Sequence, residues 1–382
     1  MVRTRRPTRG DPRATSPAPK GGAARRDPSL RSLEAFIRRC GPPDAVVEAV
    51  VSLRGDESDG LKAMGYGAPV RVRFRTGDGE TSWVFRTANT DAFGHERGAD
   101  RWASLVLARD TFGNLPRHVR PRALGVLQPD GHRVAVPEGA PFLVTEYVAG
   151  HPYARDLERA APTEHACAFD IERAERLARY LAETHAEREA PALYRRAVRD
   201  LIGNGEGIFG LVESYAEHDP VAPRPRLQAL EQHAVRWRWR LYDRAERCRR
   251  THGDFHPFNL LFDEDGALHV LDCNRGAAGE PAADLCALSI NYLFFALRTR
   301  GGFTGAMRTL WDRFWSTYLR ETKDQDLLEV VAPFFAWRSL VLASPAWYPR
   351  ERVHTRDALL AFGERLLAGA RFDPGRVEEV LS

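Results

Sequence analysis

Within eight residues, His252-Gly253-Asp254-Phe255-His256-Pro257-Phe258-Asn259, the chain gathers a carboxylate, an amide and two imidazoles. Leu260 to Phe262 and Leu268 to Leu271 are apolar and strand-like, and they flank the polar turn Asp263-Glu264-Asp265-Gly266. Such a hairpin returns the chain to Asp272 and sets that carboxylate beside Asn259. A carboxylate held in the loop can take up or orient a hydroxyl proton. An amide oxygen and a carboxylate side by side suit magnesium, which takes hard oxygen ligands and needs only one or two protein carboxylates when phosphate oxygens supply the rest. A lone Asp in a turn is ordinarily a solvated cap, but Asp254 sits between an apolar strand and Pro257, in register with Asn259. His252 reads as a buried orienter of the loop rather than a proton carrier, and His256 as facing solvent or substrate. Asp263 and Asp265 read as turn residues.

The spacing H-x-D-x-x-x-x-N matches the kinase catalytic loop. With the downstream Leu271-Asp272-Cys273-Asn274-Arg275-Gly276 and Pro281-Ala282-Ala283-Asp284-Leu285, the segment resembles the aminoglycoside phosphotransferase and choline kinase superfamily. The resemblance spans residues 45 to 290 and is weaker in the first half. It implies Asp254 as catalytic base, Asn259 and Asp272 as magnesium ligands, and Asp284 as a support of the catalytic loop; a helix N-cap is the competing reading of Asp284. It also implies Mg2+, with ATP or GTP as co-substrate, and a small-molecule alcohol as acceptor, an aminoglycoside-like compound or another metabolite.

The elements that must position these residues follow the same plan. A helical stripe from Leu30 to Ile37 ends at Gly41-Pro42-Pro43. Val46 to Leu53 reads as a strand, and Val70, Val72 and Phe74 alternate with arginines before Thr76-Gly77-Asp78-Gly79 turns the chain into Thr81 to Thr87. A helix from Glu96 to Ala108 and two strands, Ala123 to Leu127 and Phe142 to Tyr147, complete the first part. Helices dominate afterwards, beginning with Asp170 to Glu187, whose apolar face carries His185. The expected fold is α+β and bilobal, protein-kinase-like: an antiparallel sheet lobe with one main helix (32–148), then a larger helical lobe (149–382). A disordered basic tail (1–31) precedes them.

That tail holds nine basic residues against two acidic ones, a local charge of +7 in a chain of net +4. The remainder is therefore mildly acidic at −3, and the basic balance does not indicate a nucleic-acid surface. Pro7, Pro12, Pro17 and Pro19 oppose a transit-peptide helix. No stretch reaches the ~20 apolar residues of a membrane span. Five separated cysteines without a C-x-x-C pair suggest neither a disulfide framework nor a zinc site, which fits a reducing cytoplasm.

On the nucleotide side, period 2 along Trp83-Val84-Phe85-Arg86 puts Val84 and Arg86 on one face, an apolar residue for the base and a cation for the phosphates. Glu96 is the expected partner of Arg86, with Asp100 second. Glu146 and Val148 lie where a connector backbone would pair with adenine. Only Lys20, Lys62 and Lys323 occur in the chain, so Lys62, near Gly65-Tyr66-Gly67, is the rival phosphate cation. The Gly203–Gly210 segment is glycine-dense enough for close approach to a ligand, or is a flexible connection. Trp311, Trp315, Trp337 and Trp347 form either an apolar or cation-binding wall or plain core. Two other classes compete. A metallophosphoesterase would need an upstream D-x-H and a downstream G-N-H-E, which the chain lacks. A nucleotide-binding pseudokinase would have lost Asp254, Asn259 or Asp272, and all three are present.

Overall fold

The computed structural model describes residues 28–53, 69–88, 94–127, 140–369 and 371–381. Helix α1 (Pro28–Cys40) begins inside the stretch expected as tail, and Lys62 and Gly65-Tyr66-Gly67 lie outside the described residues. Strands β1 (Val46–Ser52), β2 (Val70–Thr76), β3 (Gly79–Thr87), β4 (Pro121–Leu127) and β5 (Ala140–Glu146) form one antiparallel sheet in the order β1-β2-β3-β5-β4. The β2–β3 hairpin pairs Thr76 with Gly79, leaving Gly77-Asp78 as the two-residue loop that the sequence marks.

Alternation along β3 decides which side chains face the cleft. Trp83 and Phe85 pack with Phe36, Phe74 and Phe142 beneath α1. Val84 and Arg86 therefore turn to the other face. Helix α2 (Gly98–Thr111) covers that side, and its Leu105 and Ala108, with Phe112 just beyond its end, join Leu143 of the sheet and Cys273 and Ala277 of the second lobe in one apolar cluster.

The second lobe opens with β6 (His151–Pro152), α3 (Tyr153–Ala160), α4 (Ala168–His185), α5 (Pro191–Gly203), α6 (Ile208–Val212) and α7 (Arg224–Tyr242). Short strands follow: β7 (Arg249–Arg250), β8 (Leu260–Phe262), β9 (Leu268–Val270) and β10 (Ala278–Gly279). Helices α8 (Ala282–Arg300), α9 (Ala306–Thr322), α10 (Ala332–Ala343), α11 (Val353–Ala368) and α12 (Val377–Leu381) complete it. The polar turn between β8 and β9 is closed by Asp263, which accepts from the Ala267 N–H at 2.7 Å and bonds His269 at 2.8 Å. Two backbone bonds clip the lobes together: Val119 N–H donates to Val270 at 3.1 Å, and Val270 N–H to Arg117 at 3.1 Å.

Of the four tryptophans in question, Trp311 and Trp315 are interior packing of the helical lobe, while the buried Trp347 also borders a small cavity beside Asp254. The glycine-dense segment packs closely against its own backbone, and its Asn204 and Glu206 reach the wall of a cavity next to the 252–259 loop. A Cβ at Gly210 would overlap the Gly205 carbonyl. Because that neighbour is backbone and cannot rotate away, Gly210→Ala should lower stability by about 1–3 kcal/mol, read as a reduced urea midpoint with unchanged m-value.

Candidate functional site

Asp284 organises the 252–259 loop. It lies in the first turn of α8 with its carboxylate fully buried, and accepts from His252 N–H at 2.7 Å and Gly253 N–H at 2.6 Å. His185 Nε2 adds a third bond at 3.1 Å, and its Nδ1 meets the Tyr318 hydroxyl at 2.8 Å. The α8 N-cap position belongs to Pro281, so Asp284 serves the loop and does not cap its own helix. Gly253 has φ +79, a left-handed conformation that glycine adopts without penalty, and its Cα faces the Arg275 side chain.

His252 is a spacer with a fixed tautomer. Its Nδ1 accepts from Asp254 N–H at 3.1 Å, so Nε2 carries the proton and donates to the Leu271 carbonyl at 2.7 Å. Burial holds its pKa below the ordinary histidine value, which keeps the ring neutral in this role. Asn259 Nδ2 donates to the Asp254 carbonyl at 3.0 Å, and Leu271 N–H donates to the Asn259 carbonyl at 2.9 Å. Asp254, Asn259 and the segment entering Asp272 are thereby tied to one another. His256 caps the short turn after the loop by accepting from Phe258 N–H at 3.2 Å.

Asp272 has φ +62, and it meets Arg86 across the lobes. Arg86 Nη2 lies 2.5 Å from Asp272 Oδ2 and Nη1 contacts Oδ1, a bidentate pair. Burial pushes the Arg86 guanidinium down to about 10, so it remains a cation at neutral pH. Neither Glu96 nor Asp100 reaches Arg86. Helix α2 starts only at Gly98, so Glu96 lies in the exposed turn before it and binds Gly94 N–H at 3.0 Å. Asp100 reaches back to Arg97 N–H at 2.9 Å. Val84 is buried on the Arg86 face. Glu146 and Val148 are half-buried where β5 runs into the connector, and Glu146 N–H donates to the Arg120 carbonyl at 3.1 Å, so an adenine contact at Glu146 would fall to its carbonyl.

The sequence reading missed the residues around Asp254. Arg338 of α10, 5% exposed, donates from Nη1 to Asp254 Oδ1 at 2.7 Å and from Nη2 to the Gly253 carbonyl at 3.1 Å. Its guanidinium lies 3.9 Å from the Trp337 ring centre, and that of Arg275 lies 4.7 Å from the same ring. Arg275 pairs with Glu206, which also bonds His95, while Trp337 Nε1 donates to the Glu206 carbonyl at 2.9 Å. A signal was available: Arg338 is the only charged residue of α10, and a charge in an otherwise apolar helix must have a partner.

Two cavities adjoin the loop. One of about 290 Å³ lies between α2, α5 and the segment after Asp272, with Ser104, Leu107, Asp200, Glu206, Gly253 and Arg275 in its wall. The other, about 30 Å³, has Asp254, His256, Ile290, Arg338 and Tyr348 around it.

A model of the phosphotransferase enzyme family matches residues 61–324. No curated protein matches the chain. Among solved structures it is similar to the macrolide 2'-phosphotransferase MphH from Brachybacterium faecium, at 18% identity and TM-score 0.44, covering 90% of this chain and 100% of that one. It is also similar to choline kinase LicA from Streptococcus pneumoniae, at 14% identity and TM-score 0.46, covering 88% and 98%. A third is the aminoglycoside phosphotransferase APH(3'')-Id from Streptomyces rimosus in complex with ADP and streptomycin, at 19% identity and TM-score 0.40, covering 69% and 90%.

Two predictions follow from the anchoring bonds. Asp284→Asn replaces one acceptor by a donor, so one loop amide loses its partner; stability should fall by about 2–3 kcal/mol, with faster hydrogen exchange at the His252 and Gly253 amides. His118, in the loop before β4, accepts from Cys273 N–H at 3.2 Å, and burial pushes its imidazole down to about 3. The unfolded chain protonates this group near 6.5 and the folded chain does not, so its contribution is complete above pH 6.5 and is lost as pH falls towards 3. The slope approaches ~1.4 kcal/mol per pH unit, and His118→Gln should flatten it in urea titrations between pH 6.5 and 4.5.

Proposed function

Because this chain belongs to the phosphotransferase enzyme family, we propose that it transfers the γ-phosphoryl group of ATP or GTP to a hydroxyl of a small molecule. The observation that carries the reading is the convergence of three elements: Asp254 and Asn259 are tied to each other, Asn259 is tied to the residue before Asp272, and Asp272 pairs with Arg86 across the lobes. Asp254 accepts the proton of the acceptor hydroxyl, whose oxygen attacks the γ-phosphorus while the bond to the β–γ bridging oxygen breaks. Arg86, paired with Asp272 in this structure, would turn its two parallel N–H donors to phosphate oxygens when that carboxylate takes up a cation. Val84 supplies an apolar contact for the base, and the Glu146 carbonyl and Val148 N–H lie on the connector that would pair with its edge. His252 and Asp284 hold the loop.

The donor set fits magnesium. Asn259 Nδ2 is used by Asp254, which leaves its amide oxygen for a cation, and Asp272 would contribute a carboxylate by exchanging its Arg86 partner for the ion. Among the described residues no group of three or more His, Cys, Asp or Glu forms a metal cluster, in keeping with an ion that relies on phosphate oxygens and at odds with a metallophosphoesterase centre. Bound there, magnesium would neutralise charge on the phosphates.

The pairing of three cavity carboxylates with arginines favours an acceptor alcohol with little positive charge. Of the carboxylates around the larger cavity, Asp200 pairs with Arg196, Glu206 with Arg275 and Glu280 with Arg247, while Asp100 accepts from Arg97 N–H. A polycation would have to break these pairs to bind. No helix among the described residues is long and apolar enough to cross a membrane.

The roles separate by kinetics. Asp254→Asn should cut turnover ~10²–10⁴-fold with nucleotide affinity nearly retained, whereas Asp272→Ala should weaken magnesium-nucleotide binding. Activity titrated against magnesium distinguishes them, and an identical magnesium dependence in both variants contradicts the division. Arg86→Ala should raise the nucleotide KM and lower kcat, with partial recovery in Arg86→Lys, since an ammonium cannot bind two oxygens in parallel. Lys62→Ala should change neither constant. The opposite pattern would move phosphate binding to Lys62.

A further inference from the structure

We propose that Arg338 is a positioning residue for the reaction, fixing the Asp254 carboxylate so that Oδ2 is the oxygen offered to the acceptor hydroxyl. The inference rests on the reading of Asp254 as the base.

Four observations carry it. Arg338 grips Asp254 at two levels, the carboxylate through Oδ1 at 2.7 Å and the preceding peptide through the Gly253 carbonyl at 3.1 Å. The N–H of that same Gly253 is held from the opposite side by Asp284 at 2.6 Å, so the glycine that introduces the base is fixed at both its polar ends. The guanidinium itself is located by Trp337, on whose ring it lies, and Trp337 is located by its bond to the Glu206 carbonyl. Finally, the second carboxylate oxygen is differently placed: Oδ2 stands 3.7 Å from His256 Nε2, beyond hydrogen-bond distance, beside the small cavity that Asp254, His256 and Arg338 share.

The chemistry requires such a fixture. A base must meet the hydroxyl proton at hydrogen-bond distance, and small misplacement costs orders of magnitude in rate. A planar guanidinium defines the orientation of a carboxylate through a directed donor, while its second donor on the backbone removes rotation about the loop. Arg338 has no hydrogen bond to Arg86 or Asp272, so its contribution is separable from nucleotide binding.

A double-mutant cycle tests this, using hydrolysis of magnesium-ATP, and in parallel magnesium-GTP, with water as the acceptor and radiolabelled γ-phosphate as the readout. Arg338→Gln should lower kcat about 10–100-fold with nucleotide KM within about twofold of the parent, and Arg338→Lys should restore part of the loss. In the Asp254→Asn background, Arg338→Gln should change kcat by less than about twofold, because a residue that acts through Asp254 has nothing left to position. Retained nucleotide KM, together with Arg338→Lys, separates this outcome from misfolding. Independent, multiplicative losses from the two substitutions, or a loss appearing mainly in nucleotide KM, overturn the proposal. Parental turnover in Asp254→Asn alone removes the reading of Asp254 as the base and the positioning role with it, a different result from independent losses.

Discussion

The carboxylate of Asp284 is the constraint on which the rest of the site depends. Burying a charge is costly unless hydrogen bonds replace its water, and here two backbone amides and an imidazole do so. Charge-assisted bonds of 2.6–2.7 Å are directional, so the orientation of α8 dictates the orientation of the loop. His185 of α4 and Tyr318 of α9 extend the chain of bonds outward, and three helices converge on two peptide groups. Asp254 and Asn259 follow from that fixed start, because His252 and the Asn259 amide transmit it along the loop.

Asp272 is held by a different means. A left-handed backbone at a non-glycine residue costs on the order of 1–3 kcal/mol and survives only where neighbours impose it. The neighbours here belong largely to the sheet lobe: His118 accepts from Cys273 N–H, and the Thr111 hydroxyl of α2 donates to the Cys273 carbonyl at 3.0 Å. The same α2 packs its apolar face on Cys273 and Ala277. The first lobe thus supplies Arg86 and also sets the backbone of the carboxylate that Arg86 meets. A shift of α2 would move the backbone at Cys273, next to Asp272.

How much of this the sequence disclosed depends on the range of the interaction. His252 to Asp272 were readable because the loop, the hairpin and the returning Asp are contiguous and each has a local signature. Strand β3 was readable because period 2 and a hairpin turn fix which side chains share a face. The partner of Arg86 was not, because the proximity of Glu96 in sequence says nothing about where the turn before α2 points, and Asp272 is 186 residues away. The glycines of 203–210 suggested a ligand because glycine density marks close approach without saying to what; Gly207 and Gly210 approach the chain's own backbone, while Asn204 and Glu206 between them line the larger cavity. Arg338 was passed over for the same reason of range, although its isolation within α10 was visible.

The energetics of the Arg338–Asp254 pair argue that stability does not account for it. Taking both charges from water costs several kcal/mol per ion, and apolar replacements of buried pairs are often neutral or stabilising. Helix α10 carries no other charge, and its Phe334, Phe335 and Leu340 are already in the core, so the packing of the helix does not itself call for a cation at 338. Burial also works against the Arg338 cation, holding its pKa below the ordinary arginine value with Asp254 opposing the shift. A buried cation that the helix does not need for packing, aimed at the one carboxylate expected to handle the acceptor proton, is best understood through what it does to that carboxylate: it leaves Asp254 with a defined orientation.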